Sequence, residues 1–403
     1  MIPLLAGLTV VEASSFVAAP SAGLYLAQLG ATVIRVDQTG GGPDYRRWPL
    51  APSGDSLYWE GLNKGKQSVA LDLARPEGRD ILARLATAPG TDLFLTNFPV
   101  EGFLAHSRLS RRRADLITLR VMGRADGGPA LDYTVNAALG FPAITGPQSL
   151  GDQPVNHVLP AWDLLTGAYT AFAALAALRH REQTGQGQEV RVPLADIGIT
   201  TAANLGMLAE AMLEGHDRPR IGNAVYGAFG RDFTTADGKR LMLIAISPRQ
   251  WAGLVEALGI GPAVAEVEAR HAVSFAQDEG LRFTHRAALE PLVEAAVRTR
   301  THADLVAAFE PLGVCHGTYG TLAEAAADPD LVTQNPLFHS LRHPSGQSYP
   351  APGAAATFSA MPAQPPKPAP RLGENGVQCV ANLLSMAGAE IEALTAAGVL
   401  ECP

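Results

Sequence analysis

One acidic residue, Asp163, stands at the start of a predicted helix that is otherwise apolar. Pro160 suits the beginning of a helix because the N–H that it lacks would have no intrahelical partner there, and Gly185 after a basic run marks the helix end. Unpaired N–H groups and the helix dipole favour the ionised carboxylate in the first turn, whereas apolar neighbours disfavour it. The pattern predicts a poorly solvated carboxylate that can attack an electrophilic carbonyl. An ordinary helix-start acid would show the same local pattern.

The elements that must position this acid follow from an alternation of short β-branched runs with helical patterns. Such an alternation indicates parallel strands joined by crossover helices. The sequence therefore predicts an α/β fold with a Rossmann-type large domain, in which strands cover 8–12, 32–37, 92–96 and 117–122 and helices cover 20–29 and 76–87.

Composition divides the chain into three segments. Residues 1–213 are predicted to form the first part of the large domain, and residues 214–328 a smaller α+β domain with strands over 229–233 and 240–246. Residues 329–403 return to the large domain through a stretch rich in Pro and Ala, followed by a helical pattern over 376–396. The Pro-rich composition favours an extended strap over a packed element.

Charge and cysteine content exclude several classes of protein. The chain has 403 residues and a formal charge of −8, without a dominant basic stretch, so no nucleic-acid partner is expected. Three scattered cysteines are too few for a disulfide framework or a zinc site, which fits a reducing cytosol. The start of the chain lacks a positive leader, and the longest apolar segment, around 168–178, is too short to span a bilayer. A cytoplasmic protein without a membrane partner is expected.

A long motif that follows Asp163 favours a catalytic nucleophile over an ordinary acid at a helix start. The segment 175–196, with Gln183-Thr184-Gly185-Gln186-Gly187-Gln188 at its centre, resembles the signature of the class III CoA-transferase family. Segments 10–37, 63–73 and 370–375 extend the resemblance over nearly the whole chain. The resemblance implies that Asp163 is the catalytic nucleophile, that the substrate is an acyl-CoA thioester, and that two subunits form an interlocked homodimer. Beyond CoA as part of the substrate, acyl exchange needs no metal or redox cofactor.

The same resemblance implies which residues bind the CoA part of the substrate. They lie after the predicted strands over 8–12 and 32–37, in segment 63–73, after Thr96, and ahead of Asp163: Phe16, Val17, Ala18, Gln38, Leu71, Leu73, Asn97, Phe98 and Tyr133. Many relatives carry an Arg shortly after the Asn-Phe pair, and this chain does not. Other cations could compensate for it at the CoA phosphates, although each is also explained as a solvated surface charge: Arg35, Lys64, Lys66, Arg75 and Arg79.

Several segments that depart from the general family pattern resemble the corresponding segments of one subgroup. These segments are 42–49, 122–128, 132–136, 155–163 and 226–233. The subgroup moves CoA between the C1 and C4 carboxyl groups of mesaconate (methylfumarate), within the 3-hydroxypropionate bicycle for glyoxylate assimilation. Arg47, Arg124 and Arg231 are candidates for holding the free carboxylate, since a planar guanidinium suits bidentate pairing, but they are equally explained as loop arginines.

Three further residues in these segments have two explanations each. His157 could line the site or serve the fold. Gly227 and Gly230 flank a segment that could be a flexible lid over the substrate or a hairpin turn.

Four other activities compete with the intramolecular transfer. An intermolecular CoA-transferase would use the same nucleophile. The 2-methylacyl-CoA racemases share the fold but carry a Gly-His-Asp sequence, and here Leu131 replaces the histidine. A dehydrogenase would need a Gly-x-Gly-x-x-Gly turn after the first strand, where this chain reads Ala13-Ser14-Ser15-Phe16-Val17-Ala18. A CoA-binding protein without turnover would have no need for Asp163.

Overall fold

The computed structural model describes every residue, Met1–Pro403, and the chain forms two compact units. The first comprises Met1–Leu139, His157–Leu213 and Asp328–Pro403, and the second Gly140–Asn156 and Glu214–Ala327. These boundaries lie near the predicted ones, except that 140–156 joins the second unit. Backbone hydrogen bonds explain this assignment, because the N–H of Gly222 donates to the carbonyl of Gly146 at 3.0 Å.

The chain contains twelve strands and seventeen α-helices. The strands are β1 (Thr9–Ala13), β2 (Thr32–Gln38), β3 (Gln67–Leu71), β4 (Leu93–Thr96), β5 (Ile117–Met122), β6 (Gln188–Pro193), β7 (Phe229–Thr234), β8 (Arg240–Ala245), β9 (Cys315–Thr318), β10 (Phe338–Arg342), β11 (Ser348–Pro352) and β12 (Leu400–Glu401). The helices are α1 (Ala18–Gln28), α2 (Leu57–Leu62), α3 (Pro76–Thr87), α4 (His106–Leu109), α5 (Asp132–Ala138), α6 (Phe141–Ile144), α7 (Ala161–Thr184), α8 (Leu194–Asn204), α9 (Met207–Glu214), α10 (Pro248–Leu258), α11 (Gly261–His271), α12 (Glu279–Thr284), α13 (Arg286–Arg298), α14 (His302–Phe309), α15 (Leu322–Ala327), α16 (Gly376–Leu384) and α17 (Gly388–Ala396).

A seven-stranded sheet in the order β12-β3-β2-β1-β4-β5-β6 forms the centre of the first unit. All neighbouring pairs are parallel except β12 with β3. Apolar side chains are buried on both faces, as parallel sheets covered by helices require. The predicted α/β fold is confirmed. The strand order reverses between β1 and β4, and ligands of such sheets bind beyond the carboxyl ends of the strands at this point.

Helix α7 carries Asp163 in its first turn and packs against α1. Gly167 allows this close packing, because a Cβ atom there would lie 2.0 Å from Ser21 Oγ and 2.7 Å from the carbonyl oxygen of Ala18. The helix ends where predicted, at Gly185 with φ of +72°. Its 24 residues agree with the predicted start and end. Its length and composition alone would suffice to cross a membrane, which the shorter apolar segment 168–178 did not indicate.

The second unit has a three-stranded antiparallel sheet, β7-β8-β9, with helices α10 to α14 around an apolar core. Phe229 and Phe233 of β7 belong to this core. In the first unit, the helical pattern predicted over 376–396 is two helices, α16 and α17. The break falls at Ser385, whose φ of +51° does not continue a helix.

Candidate active site

Asp163 is partly buried in the first turn of α7. Burial raises the pKa of its carboxyl group to about 6, the neighbouring Asp132 carboxylate adds to this rise, and the Arg47 guanidinium opposes it. At pH 7 to 8 the group is therefore mostly ionised while being more basic than an ordinary carboxylate. These are the properties of a nucleophile that sequence analysis expected at this position.

Asp132, the first residue of α5, caps the N-terminus of α7. Its Oδ2 accepts the N–H groups of Trp162 at 2.7 Å and of Asp163 at 3.1 Å, and its Oδ1 lies 2.7 Å from His157 Nε2. The sequence analysis named His157 but gave Asp132 no role, although Asp132 begins segment 132–136, which resembles the subgroup. The sequence offers no further signal for it, because an isolated acid is common.

Arg47 lies close enough to Asp163 to lower the pKa of that carboxyl group. Its guanidinium carbon stands 5.6 Å from the ring centroid of Phe16 and 5.5 Å from that of Tyr58. The Tyr58 hydroxyl is buried and has no hydrogen-bond partner within the chain. Asp163 is among the charges that shift the pKa of Tyr58, so this donor belongs to the same site. The sequence contains no motif that would have identified it.

The loop between β1 and α1 is fixed from two sides. Asn97, after β4, accepts the Ser15 N–H at 3.2 Å and donates to the Ser15 carbonyl at 2.9 Å. Asp44 accepts the N–H of Phe16 at 3.0 Å. Phe16 has φ of +69°, a strained value for a residue with a side chain, and these bonds stabilise it. The side chain of Asn97 thus fixes the backbone of the loop that is predicted to bind CoA.

A cavity of about 370 Å³ opens at the carboxyl ends of β1 and β2 and beside the loop after β4. Three residues predicted to bind CoA line it: Gln38, Leu73 and Phe98. The remaining lining residues come from the adjacent loops and strand ends: Ser14, Ser15, Val36, Asp37, Gly42, Pro43 and Ala74. The cavity occupies the sheet position at which Rossmann-type folds bind ligands.

The other residues predicted to bind CoA are distributed as follows. Val17 and Ala18 are buried at the start of α1. Tyr133 is 42% exposed, and its hydroxyl donates to the carbonyl of Val158 at 3.1 Å. Leu71 has no exposed surface because it belongs to the apolar core beneath the sheet, so its side chain is not available to a ligand.

The suggestion that Arg35, Lys64 and Lys66 compensate at the CoA phosphates is wrong, and so is their description as surface charges. All three are buried. The Arg35 guanidinium contacts both Asp37 and Asp44 at 2.9–3.0 Å, and Lys66 Nζ lies 2.8 Å from a carboxylate oxygen of Glu12. Arg75 and Arg79 remain at the surface, where they donate to the carbonyls of Ala397 and Ala74.

Two other arginines predicted to hold the substrate's free carboxylate already have carboxylate partners. Arg124 forms an exposed ion pair with Asp126 at 3.0 Å in the turn after β5. In the second unit, Arg231 pairs with Glu294 at 2.9 Å and with Glu290 at 3.5 Å. Arg47 is the candidate whose charge acts on Asp163.

The segment around Gly227 and Gly230 is a turn that enters β7. Gly227 has φ of +79°, and the Val225 N–H donates to the carbonyl of Gly230 at 2.8 Å. Gly230 itself lies in β7, where an added Cβ would come within 3.0 Å of the Leu243 carbonyl oxygen. Of the two predicted alternatives, a turn describes this geometry.

Comparison with known proteins adds the following similarities. A family model for CoA-transferase family III matches residues 5–376. The chain is 47% identical, over 99% of its length and 98% of the relative, to a 2-methylfumaryl-CoA isomerase of Chloroflexus aurantiacus. It is 30% identical, over 94% of its length and 96% of the relative, to a succinate–glutarate CoA-transferase of Agrobacterium fabrum. A crystal structure of a CAIB/BAIF family protein from Brucella suis covers 95% of this chain and 100% of its own, with a TM-score of 0.76 and 26% identity.

Proposed function

The chain belongs to CoA-transferase family III, and from this premise we propose that it moves CoA between the two carboxyl groups of one dicarboxylic acid. The reaction converts 2-methylfumaryl-CoA into 3-methylfumaryl-CoA. The proposal is carried by the poorly solvated Asp163 carboxylate, whose pKa is raised to about 6. The similarity of the whole chain to a 2-methylfumaryl-CoA isomerase indicates the substrate.

Each step of the reaction is an acyl exchange. The Asp163 carboxylate attacks the thioester carbonyl and expels CoA thiolate, which leaves a mixed anhydride. The thiolate then attacks the aspartyl carbonyl, so that Asp163 carries the CoA as a thioester and methylfumarate is released from its covalent bond. The other carboxylate of methylfumarate then attacks this thioester and expels CoA thiolate, which leaves a second mixed anhydride. The thiolate attacks the methylfumaryl carbonyl of that anhydride, which forms the product thioester and frees the Asp163 carboxylate. The bonds formed and broken balance, and no metal or redox cofactor takes part.

Two side chains near Asp163 have suitable chemistry for these steps. The Arg47 guanidinium can pair with the substrate carboxylate that is not reacting. The buried Tyr58 hydroxyl has its hydrogen unused within the chain, so it can donate to an oxygen of the substrate or of the tetrahedral intermediate. Together they would provide charge pairing and oxyanion stabilisation next to the nucleophile.

The CoA part of the substrate would occupy the cavity beyond β1, β2 and β4. Gln38, Leu73 and Phe98 supply its walls. Beside it, Asn97 holds the backbone of Ser15, and Asp44 accepts the N–H of Phe16. The proposed reaction is a step of the 3-hydroxypropionate bicycle. Because its substrate is a CoA thioester, we propose a cytoplasmic location. Three free cysteines support this location.

Intermolecular CoA transfer is the second candidate, and the likeness to the succinate–glutarate CoA-transferase favours it. The two activities differ in whether a second acid is required. Incubation of the protein with purified 2-methylfumaryl-CoA alone should yield 3-methylfumaryl-CoA, resolved by liquid chromatography and mass spectrometry. Formation of succinyl-CoA and free methylfumarate after succinate is added, with no conversion in its absence, would support the intermolecular enzyme.

We also propose a homodimer, interlocked as in the family. Support comes from large apolar side chains at the surface of α7 and α9. Phe172 and Tyr169 of α7 are 65% and 50% exposed, and Leu213 and Met212 of α9 are 85% and 80% exposed. Apolar groups presented in this way mark protein interfaces more often than free surface.

Phe172→Asp is expected to weaken the dimer by at least about tenfold in dissociation constant, because a carboxylate would be desolvated in the interface. Sedimentation velocity should give a wild-type mass near twice the 42.2 kDa of the chain and a smaller average mass for the variant. Ala236→Asp is the control, since Ala236 is a small exposed residue in the turn between β7 and β8 of the second unit. A wild-type protein of 42.2 kDa at tens of micromolar would exclude the proposed dimer.

A further inference from the structure

Asp163 lies in the first turn of α7 but does not cap that helix, as an acid at a helix start usually does. An acid in this position ordinarily accepts the unpaired N–H groups of its own helix or lies beside them. Here the N–H groups of Trp162 and Asp163 donate instead to one oxygen of Asp132. The carboxylate of Asp163 therefore accepts none of these N–H groups and is available to a substrate.

The acid that replaces it is itself held rigidly. Asp132 is 2% exposed, and its second oxygen lies 2.7 Å from His157 Nε2. Because an ionised carboxylate only accepts hydrogen bonds, Nε2 is the protonated nitrogen of this pair. The ring of His157 is in turn bracketed by Tyr133, with centroids 5.7 Å apart, and by Trp162, at 6.5 Å. Both oxygens of Asp132 thus have fixed donors.

We propose that Asp132 is a positioning residue of the proposed CoA transfer: it caps the helix in place of Asp163, and its negative charge makes the Asp163 carboxylate a stronger nucleophile. His157 orients Asp132 through the Nε2 hydrogen bond. The inference rests on the proposed function, because it concerns the nucleophile of that reaction.

The titratable groups around Asp163 and Asp132 come from four elements. Asp132 belongs to α5, His157, which contacts Asp132, to the segment before α7, Arg47 to the loop after β2 and Tyr58 to α2. Asp132 raises the pKa of Asp163, after burial, whereas Arg47 lowers it. Removing the charge of Asp132 while keeping its shape should therefore make Asp163 less basic.

Asp132→Asn separates charge from geometry, because the amide oxygen can still accept both helix N–H groups. The acid limb of the kcat profile, which reports ionisation of Asp163, should move to lower pH by on the order of one unit. The plateau value of kcat should fall roughly 3- to 10-fold, as expected for a less basic nucleophile, with KM changed less than about twofold. Asp196→Asn, an exposed acid in the first turn of α8, should leave the profile unchanged.

A second variant keeps the test decisive if Asp132→Asn does not fold. His157→Gln retains a hydrogen-bond donor toward Asp132 and leaves the Asp132 charge in place, so its acid limb should not move to lower pH. An acid limb that falls in His157→Gln, or one that stays at the wild-type pH in folded Asp132→Asn, would overturn the assigned role. Absence of any CoA transfer by the wild-type protein would instead refute the proposed function, so the two failures are distinguishable.

Discussion

Asp163→Ala is expected to lower kcat for CoA transfer by a factor of at least about 10⁴, because no other group can carry the aspartyl thioester. The fold and the KM for the acyl-CoA should change little, since the Asp163 side chain accepts no hydrogen bond that the fold requires. Hydroxylamine traps aspartyl thioesters, so mass spectrometry should find the modified tryptic peptide 125–179 in the wild type and not in the variant. Asp196→Ala provides the matched control in the first turn of α8. Turnover within tenfold of the wild type by freshly prepared Asp163→Ala would refute the covalent route.

The raised pKa of Asp163 also gives this variant a pH-dependent effect on stability. The pKa is about 6 in the folded chain against an ordinary value of 3.8. The stability that this group contributes is therefore complete below pH 3.8 and is lost as the pH rises through 6. The midpoint of thermal unfolding of Asp163→Ala, relative to the wild type, should accordingly be higher at pH 8 than at pH 4.

Arg35→Met is expected to destabilise the first unit by about 3–5 kcal/mol, because it removes one partner from a buried ionic cluster. Asp37, Asp44 and Glu12 would remain buried with Lys66 as the remaining cation in direct contact. Chemical unfolding, followed by the fluorescence of Trp59 against which Arg35 packs, should show a lower midpoint.

The exposed Arg124 offers a matched control for Arg35. Its ion pair with Asp126 is solvated, so Arg124→Met should change the free energy of unfolding by less than about 1 kcal/mol. Equal effects of the two substitutions would show that the buried cluster does not stabilise the unit as described.

The structural features that the sequence predicted as they occur are those whose signals are local. Asp163, with a proline before it and Gly185 at the helix end, lies in the first turn of one helix as predicted, and the 22 residues of the family signature begin within the same helix. The strand alternation was equally readable, because a buried parallel strand is apolar along its whole length.

Contacts between distant segments account for what the sequence did not reveal. Sequence analysis described Arg35 as a surface charge, whereas its burial depends on Asp37 of the same strand and on Glu12 and Asp44 from other segments. Asp132 and the N-terminus of α7 are about thirty residues apart, and no spacing rule relates them. Tyr58 has no motif, and it is identified by its buried hydroxyl without a partner and by its position beside Arg47.

Retention of the free acid between the two half-reactions is the central claim, and an isotope experiment tests it most directly. The protein is incubated with unlabelled 2-methylfumaryl-CoA and increasing concentrations of labelled free methylfumarate, and mass spectrometry measures the labelled fraction of the product thioester. The proposed intramolecular transfer predicts a labelled fraction near zero at every concentration of free acid. A labelled fraction that rises toward that of the free pool would contradict it and identify an intermolecular CoA-transferase.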